Sequence, residues 1–141
     1  MKHVIVALAA AMLVGAGAPK ATLDVDVAGL RDSRGLVQAC LSRDPRYFPD
    51  CSRDPASVKV SVSAAAPKLR FTGVEPGRYA LSVFHDANAN RRLDMLLGIP
   101  KEGFGFSRNP RVRFGAPKFE QVDIEVDPTV TRQSVRMQYI L

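Results

Sequence analysis

Asp86, Asn88, Asn90 and Asp94 punctuate the run HDANANRRLD, and Glu102 follows in the segment GIPKEGFGFSRN. A chain that presents side-chain oxygens at positions one, three, five and nine can curl them around one hard cation, as calcium loops of the EF-hand type do. Arg92, at position seven, would add its backbone carbonyl. The match departs from such a loop at position six, where glycine is wanted and Arg91 stands, and at position twelve, where Leu97 replaces a bidentate glutamate. Glu102 can supply that carboxylate if the intervening segment folds back. The same residues equally suit a different task, because Asn and Asp side chains bond their own backbone and hold successive turns. Both readings stay open. Two neutral Asn ligands and the neighbouring Arg91 and Arg92 set any calcium affinity in the weak extracellular range, roughly 10⁻⁴ to 10⁻³ M.

Other chemistry is sparsely equipped. His85 is the one histidine outside the first residues, so an envelope enzyme, a sugar or related hydrolase, would have to draw its acid and base from His85, Asp86, Asp94 and Glu102. Ser107 is the nearest nucleophile, yet FGFSRNP lacks the form of a strained nucleophile turn. The expectation is therefore no catalytic residue, with His85 ending a strand and bonding into the loop. Phe104, Phe106, Phe114 and Phe119, interleaved with Gly98, Gly103, Gly105 and Gly115, suggest a tight hairpin. Its rings, with Ser107 and Asn109 beside them, would either face a ligand from a loop surface or tuck over the open end of the fold.

The elements that must position these residues show an alternation of apolar and polar side chains, broken by Gly, Pro and acidic residues. Seven strands are predicted: from Thr22 (TLDVDVAG), Gly35 (GLVQACL), Ser57 (SVKVSVS), Lys68 (KLRFTGV), Gly77 (GRYALSVFHD), Phe119 (FEQVDIEVD) and Thr131 (TRQSVRMQYIL). With no helical crossover between them, they predict an all-β, antiparallel, seven-stranded sandwich of immunoglobulin-like or transthyretin-like type. Tyr79, Leu81, Val83 and His85 share one face of the fifth strand, so the oxygen-rich run leaves directly from a core strand. No clear strand is visible from Asp86 to Lys118, and so long a connection usually carries a function, a bound ion or a hairpin of its own.

Length and composition bound the rest. A chain of 141 residues supports one domain with a core of its own. Lys2, the apolar run Val4 to Val14 and the small residues Ala16, Gly17 and Ala18 read as a signal peptide over residues 1–18, leaving a single domain over 19–141. That run is well short of the roughly twenty residues of a spanning helix, so no transmembrane segment is expected. Cys40 and Cys51 both fall in the exported part, where an oxidising compartment would pair them. The balance of 20 Lys plus Arg against 14 Asp plus Glu is basic. Its arginines are scattered instead of lining one face, and export excludes a nucleic-acid partner. A periplasmic or secreted monomer is expected, with an envelope or extracellular ligand as its partner.

The run GRYALSVFHDANANRRLDMLLGIPKEGFGFSRN resembles the central signature of a secreted bacterial family catalogued as domain of unknown function 2141. In that pattern a strand ends in HD, then N, N and D follow at fixed spacing, then a GIPKE and a GFSNN-like stretch. The matching positions are His85, Asp86, Asn88, Asn90, Asp94, Gly98, Ile99, Pro100, Glu102, Gly105, Phe106, Ser107 and Asn109. Members carry a glycine after the second Asn, where this chain has Arg91. The resemblance implies a small exported β-sandwich protein and carries no activity with it.

Overall fold

Alternation along the first strand, Ala21–Ala28 (β1), turns Ala21, Leu23, Val25 and Val27 inward and leaves Asp24 and Asp26 outside. The computed structural model that shows this describes Gly17 and residues 19–141; the leader expected over 1–18 lies, Gly17 apart, outside the described residues. The same two-residue period builds β2 (Leu36–Ser42), β3 (Val58–Ser63), β4 (Lys68–Val74) and β5 (Gly77–Asp86). Three short strands follow, β6 (Met95–Leu96), β7 (Ile99–Pro100) and β8 (Phe104–Phe106), and then β9 (Ile124–Val126) and β10 (Val130–Arg136). No helix among the described residues is long and apolar enough to cross a membrane.

The fold is all-β, with strands arranged in several sheets. One sheet has the order β10-β1-β4, and the other runs β3-β2-β5-β8 with β9 also on β5. Tyr79 to Gly77 pair with β9 and Ser82 to Phe84 with β8, so one long strand serves two short partners along the same edge. The two sheets close on a shared core that includes Leu23, Val25, Leu41, Leu69, Phe71, Leu81, Val83 and Val135. A second, smaller core of Ala80, Phe104, Phe106, Phe119 and Val122 covers the other face of β5, with Phe48 seated edge-on against Phe106 and Phe119. Both faces of β5 are therefore buried. That makes it the most constrained strand from which a loop could leave.

Three expectations need correction. The described residues contain ten strands instead of seven, because the stretch from Asp86 to Lys118 holds β6, β7 and β8. The sixth expected strand is shorter than drawn: Phe119–Gln121 coils as a 3-10 turn so that Phe119 reaches the second core, and only Ile124–Val126 pairs. Nor is the pairing wholly antiparallel. β10 runs parallel to β1, from Thr22 opposite Val130 to Ala28 opposite Arg136. Parallel neighbours need a long crossover, and here the whole domain intervenes between them.

Cys40 on β2 is bridged to Cys51, with Cα atoms 6.6 Å apart, which ties the turn around Pro45–Tyr47 back to the sheet. Such a bond suits an extracytoplasmic protein.

Candidate functional site

The loop leaves β5 through a fully buried carboxylate. Asp86 Oδ1 accepts from the Asn90 backbone N–H at 3.0 Å, and Oδ2 accepts from the Arg91 N–H at 2.8 Å and from Gln38 Nε2 at 3.0 Å. Gln38 belongs to β2, next to β5, so the sheet itself helps to hold the loop. To reach back in this way the backbone turns left-handed at Ala89 (φ 54°) and at Arg91 (φ 64°). Arg91 thus adopts the conformation for which a calcium loop, and the resembling family, use glycine; for a side-chain-bearing residue this costs about 1 kcal/mol.

Asn88 and Asn90 form a second tier. Their Oδ1 atoms accept from the backbone N–H groups of Asn90 (3.2 Å) and Arg92 (2.9 Å), while their Nδ2 groups donate to the Asp94 carboxylate at 2.8 to 3.0 Å. Those bonds hold Asp94 below its ordinary carboxylate range, Asn90 contributing most. The segment then folds back, as the Glu102 reading requires. The two-residue strands β6 and β7 pair, the Lys101 N–H donates to the Asp94 carbonyl (2.8 Å), and the Asp94 N–H donates to Glu102 Oε2 (3.1 Å). Burial pushes Glu102 above its ordinary range; the N–H groups of Asp94 and Ala87 oppose that, while the charges of Asp94 and Asp86 add to it.

The structure thus brings Asp86, Asn88, Asn90, Asp94 and Glu102 into one hydrogen-bonded loop, with Arg92 in its backbone. Among the described residues none of the three carboxylates has a Lys, Arg or His ion-pair partner. Nor do any three Asp, Glu, His or Cys side chains among them form a group able to hold a metal ion unaided. A cation here would depend on the Asn amide oxygens and the Arg92 carbonyl as well as the carboxylates.

His85 is buried on the main-core face and committed at both ring nitrogens. Nε2 lies 2.8 Å from the Arg34 carbonyl, which can only accept, so Nε2 carries the proton. In the neutral ring Nδ1, 2.9 Å from Tyr139 Oη, accepts the tyrosine O–H, and that oxygen in turn accepts from the Arg31 N–H at 2.9 Å. The Arg31 guanidinium covers the Tyr139 ring at 4.2 Å. Asp32, whose Oδ1 lies 3.9 Å from His85 Nε2, is lowered to about 2, chiefly by its bonds from Arg34. The final residues of the chain are thereby sewn to the loop between β1 and β2. Sequence reasoning missed Gln38, Tyr139 and the Arg34 carbonyl, since no local pattern links them to the motif.

Most of the residues considered for a loop surface are buried. Phe104 and Phe106 are buried on β8 in the second core, and Phe119 joins them; Phe114 alone of these rings is exposed. Glycine explains the approach: a Cβ on Gly105 would sit 2.6 Å from Val135, and one on Gly103 2.5 Å from the Tyr139 ring. Ser107 is also buried. Its Oγ donates to the Val122 carbonyl and accepts from the Leu81 N–H at 3.1 Å, so its hydroxyl is used up in joining β5 to the 3-10 turn. Asn109 is exposed, yet it works as a strand substitute. Its Nδ2 donates to the Ser134 carbonyl (2.9 Å) and its Oδ1 accepts from the Arg136 N–H (2.8 Å), engaging β10 as a backbone neighbour would.

Two surface hollows, one lined by Asp24, Asp26, Lys68, Arg70 and Arg132, the other by Lys20, Glu75 and Pro76, reach neither His85 nor Glu102. A family model described as an uncharacterized protein conserved in bacteria (DUF2141) matches residues 25–134. Neither a curated protein nor a solved structure matches the chain.

Proposed function

This chain belongs to the DUF2141 family of bacterial proteins, and from that premise we propose that it is an exported, non-catalytic binding or structural module whose loop 86–102 is a platform organised by carboxylates and stiffened by a weakly bound calcium-type cation. One observation carries the reading: Asp86, Asp94 and Glu102 share one loop with no ion-pair partner among the described residues, and burial together with the other two charges raises Glu102. A hard cation would add to the partial compensation that the Arg92 and Lys101 charges give Asp94. Since these carboxylates are not grouped for a metal as they stand, Asp86, Asp94 and Glu102 would have to draw together around it, with the Asn88 and Asn90 amide oxygens and the Arg92 carbonyl. Because the Asn oxygens already hold turns, the affinity belongs in the weak range of extracellular modules.

The strand order supports a transthyretin-like sandwich over an immunoglobulin-like one. In an immunoglobulin sheet the first strand neighbours the second; here β1 lies between β4 and β10. We assign no catalytic role to His85 or Ser107, whose polar atoms are spent on structure. The module is read as a periplasmic or secreted monomer.

The test is a thermal melt of the protein with millimolar calcium against the same protein in chelator. Calcium should raise the midpoint, and Asp86→Ala combined with Asp94→Ala should abolish the rise. A midpoint that does not move in wild type removes the cation from the proposal.

A further inference from the structure

We propose that the β6–β7 hairpin at the tip of this loop docks on an anionic lipid surface. The tip is apolar and unpartnered. Met95, Leu96, Leu97 and Ile99 are all exposed, and Leu97 stands 95% clear of the protein. The turn makes that exposure odd. Leu97 (φ 49°) and Gly98 (φ 77°) are both left-handed between the paired residues Leu96 and Ile99, which is the geometry of a type I′ hairpin, where Asn, Asp or Gly normally stands first. A leucine there is strained, packs on nothing and contributes nothing to the fold.

Charge around the tip selects the partner. Arg91, Arg92 and Lys101 flank it, all exposed, and among the described residues none of them has an acidic ion-pair partner. Elsewhere Arg70 on β4 and Arg78 on β5, with Arg34, Arg43, Arg46 and Arg108 in the connections, each meet a carboxylate. Apolar side chains at a tip, flanked by exposed cations of which Arg92 and Lys101 also act on the Asp94 charge, match the two attractions that hold a peripheral protein on a membrane: burial among acyl chains and pairing with anionic headgroups. A protein partner would leave one or the other unused unless it were itself both apolar and acidic. This surface stands whether or not the loop holds a cation, because the hairpin pairing and its basic flanks belong to the chain alone.

The probe is co-sedimentation with vesicles of phosphatidylglycerol and phosphatidylcholine, compared with phosphatidylcholine alone. The protein is expressed from its full coding sequence, recovered from the soluble fraction, and tested with calcium and with chelator. Binding to the anionic vesicles in either condition, weakened roughly tenfold or more by Leu96→Ser with Leu97→Ser and several-fold by Arg91→Gln with Arg92→Gln and Lys101→Gln, is the expected result. All variants share the same remainder of the chain, so a difference belongs to the hairpin. Absence of binding in both conditions overturns the proposal, as does binding that the leucine variant retains in full. Concentration-dependent dimerisation in sedimentation velocity, lost in the leucine variant, together with no vesicle binding, would assign the tip to a second copy and also overturn it.

Discussion

Replacing Asp86 separates a hydrogen-bonded scaffold from a cation-dependent one. Its carboxylate, fully buried, accepts three bonds, from the Asn90 and Arg91 N–H groups and from Gln38 Nε2. A hydrogen bond to a charged acceptor contributes about 1.5 to 3 kcal/mol. Gln38 is half-buried, and the two loop N–H groups can reach water once the loop relaxes, so the net loss for Asp86→Ala comes to about 3 to 5 kcal/mol. For a domain of this size that is a fall in Tm of roughly 10 to 20 °C. Asp86→Asn keeps one oxygen acceptor, and Gln38 can turn its own amide oxygen toward the new N–H, which leaves one backbone donor short; the expected loss is about 1 to 2 kcal/mol. Urea unfolding followed by far-UV circular dichroism, in chelator, measures both. A loss below about 1 kcal/mol for Asp86→Ala, or equal losses for Ala and Asn, would refute the accounting. In calcium neither variant should gain stability, because both lack the charge that a cation needs, so the gap between them should stay as it is in chelator.

Two further outcomes follow from neighbouring residues. Glu102 is raised above its ordinary 4.5 by burial, with the Asp94 and Asp86 charges adding to it, so the folded chain holds that proton more tightly than the unfolded one. Its contribution to stability is then fully present below 4.5 and is lost as pH rises through the folded value; Asp94, lowered by Asn90 and Asn88, acts in the opposite sense and loses its contribution as pH falls through its depressed value. Glu102→Gln should therefore flatten the decline of Tm above pH 4.5 in chelator, and parallel wild-type and variant profiles would count against it. Gly103→Ala puts a Cβ 2.5 Å from Tyr139 Cζ, and the ring cannot swing aside without giving up His85 and the Arg31 N–H. A loss of about 2 to 3 kcal/mol, with a shifted His85 ring signal by NMR, is expected; an unmoved His85 signal would mean that the tyrosine is not what orients it.

Much of the sheet was legible because its strands are long enough to show a period. β1 alternates over all eight residues, β4 over Lys68 to Thr72, and β5 sets Tyr79, Leu81 and Val83 on one face; those inward sets are the ones that the core contains. What alternation lacks is direction, which is why the parallel pairing of β1 with β10 could not be read from it. Length defeats it too. β6 and β7 are two residues each and β8 three, below any period, and β8 carries glycine between its phenylalanines because β10 presses on it there. Phe119–Gln121 looked like a strand on composition, and packing into the second core decided otherwise.

In the loop, the types of side chain were legible and their partners were not. Asn88 and Asn90 bond within a few residues, so an Asx reading of them needs only local spacing. Asp86 and His85 instead bond across 48 and 54 residues, to Gln38 and Tyr139, and no spacing rule connects such positions. The consequence reaches the chemistry. A histidine beside an aspartate at a strand end suggests acid and base until the fold turns them to opposite faces, His85 toward the main core and Asp86 toward the loop and Gln38. Adjacent residues on a strand cannot share a face, so HD at the end of β5 gives one side chain to each side of the sheet. That alternation makes His85 an anchor for the chain end and leaves Asp86 to organise the loop, where the buried negative charge needs either N–H donors or a cation.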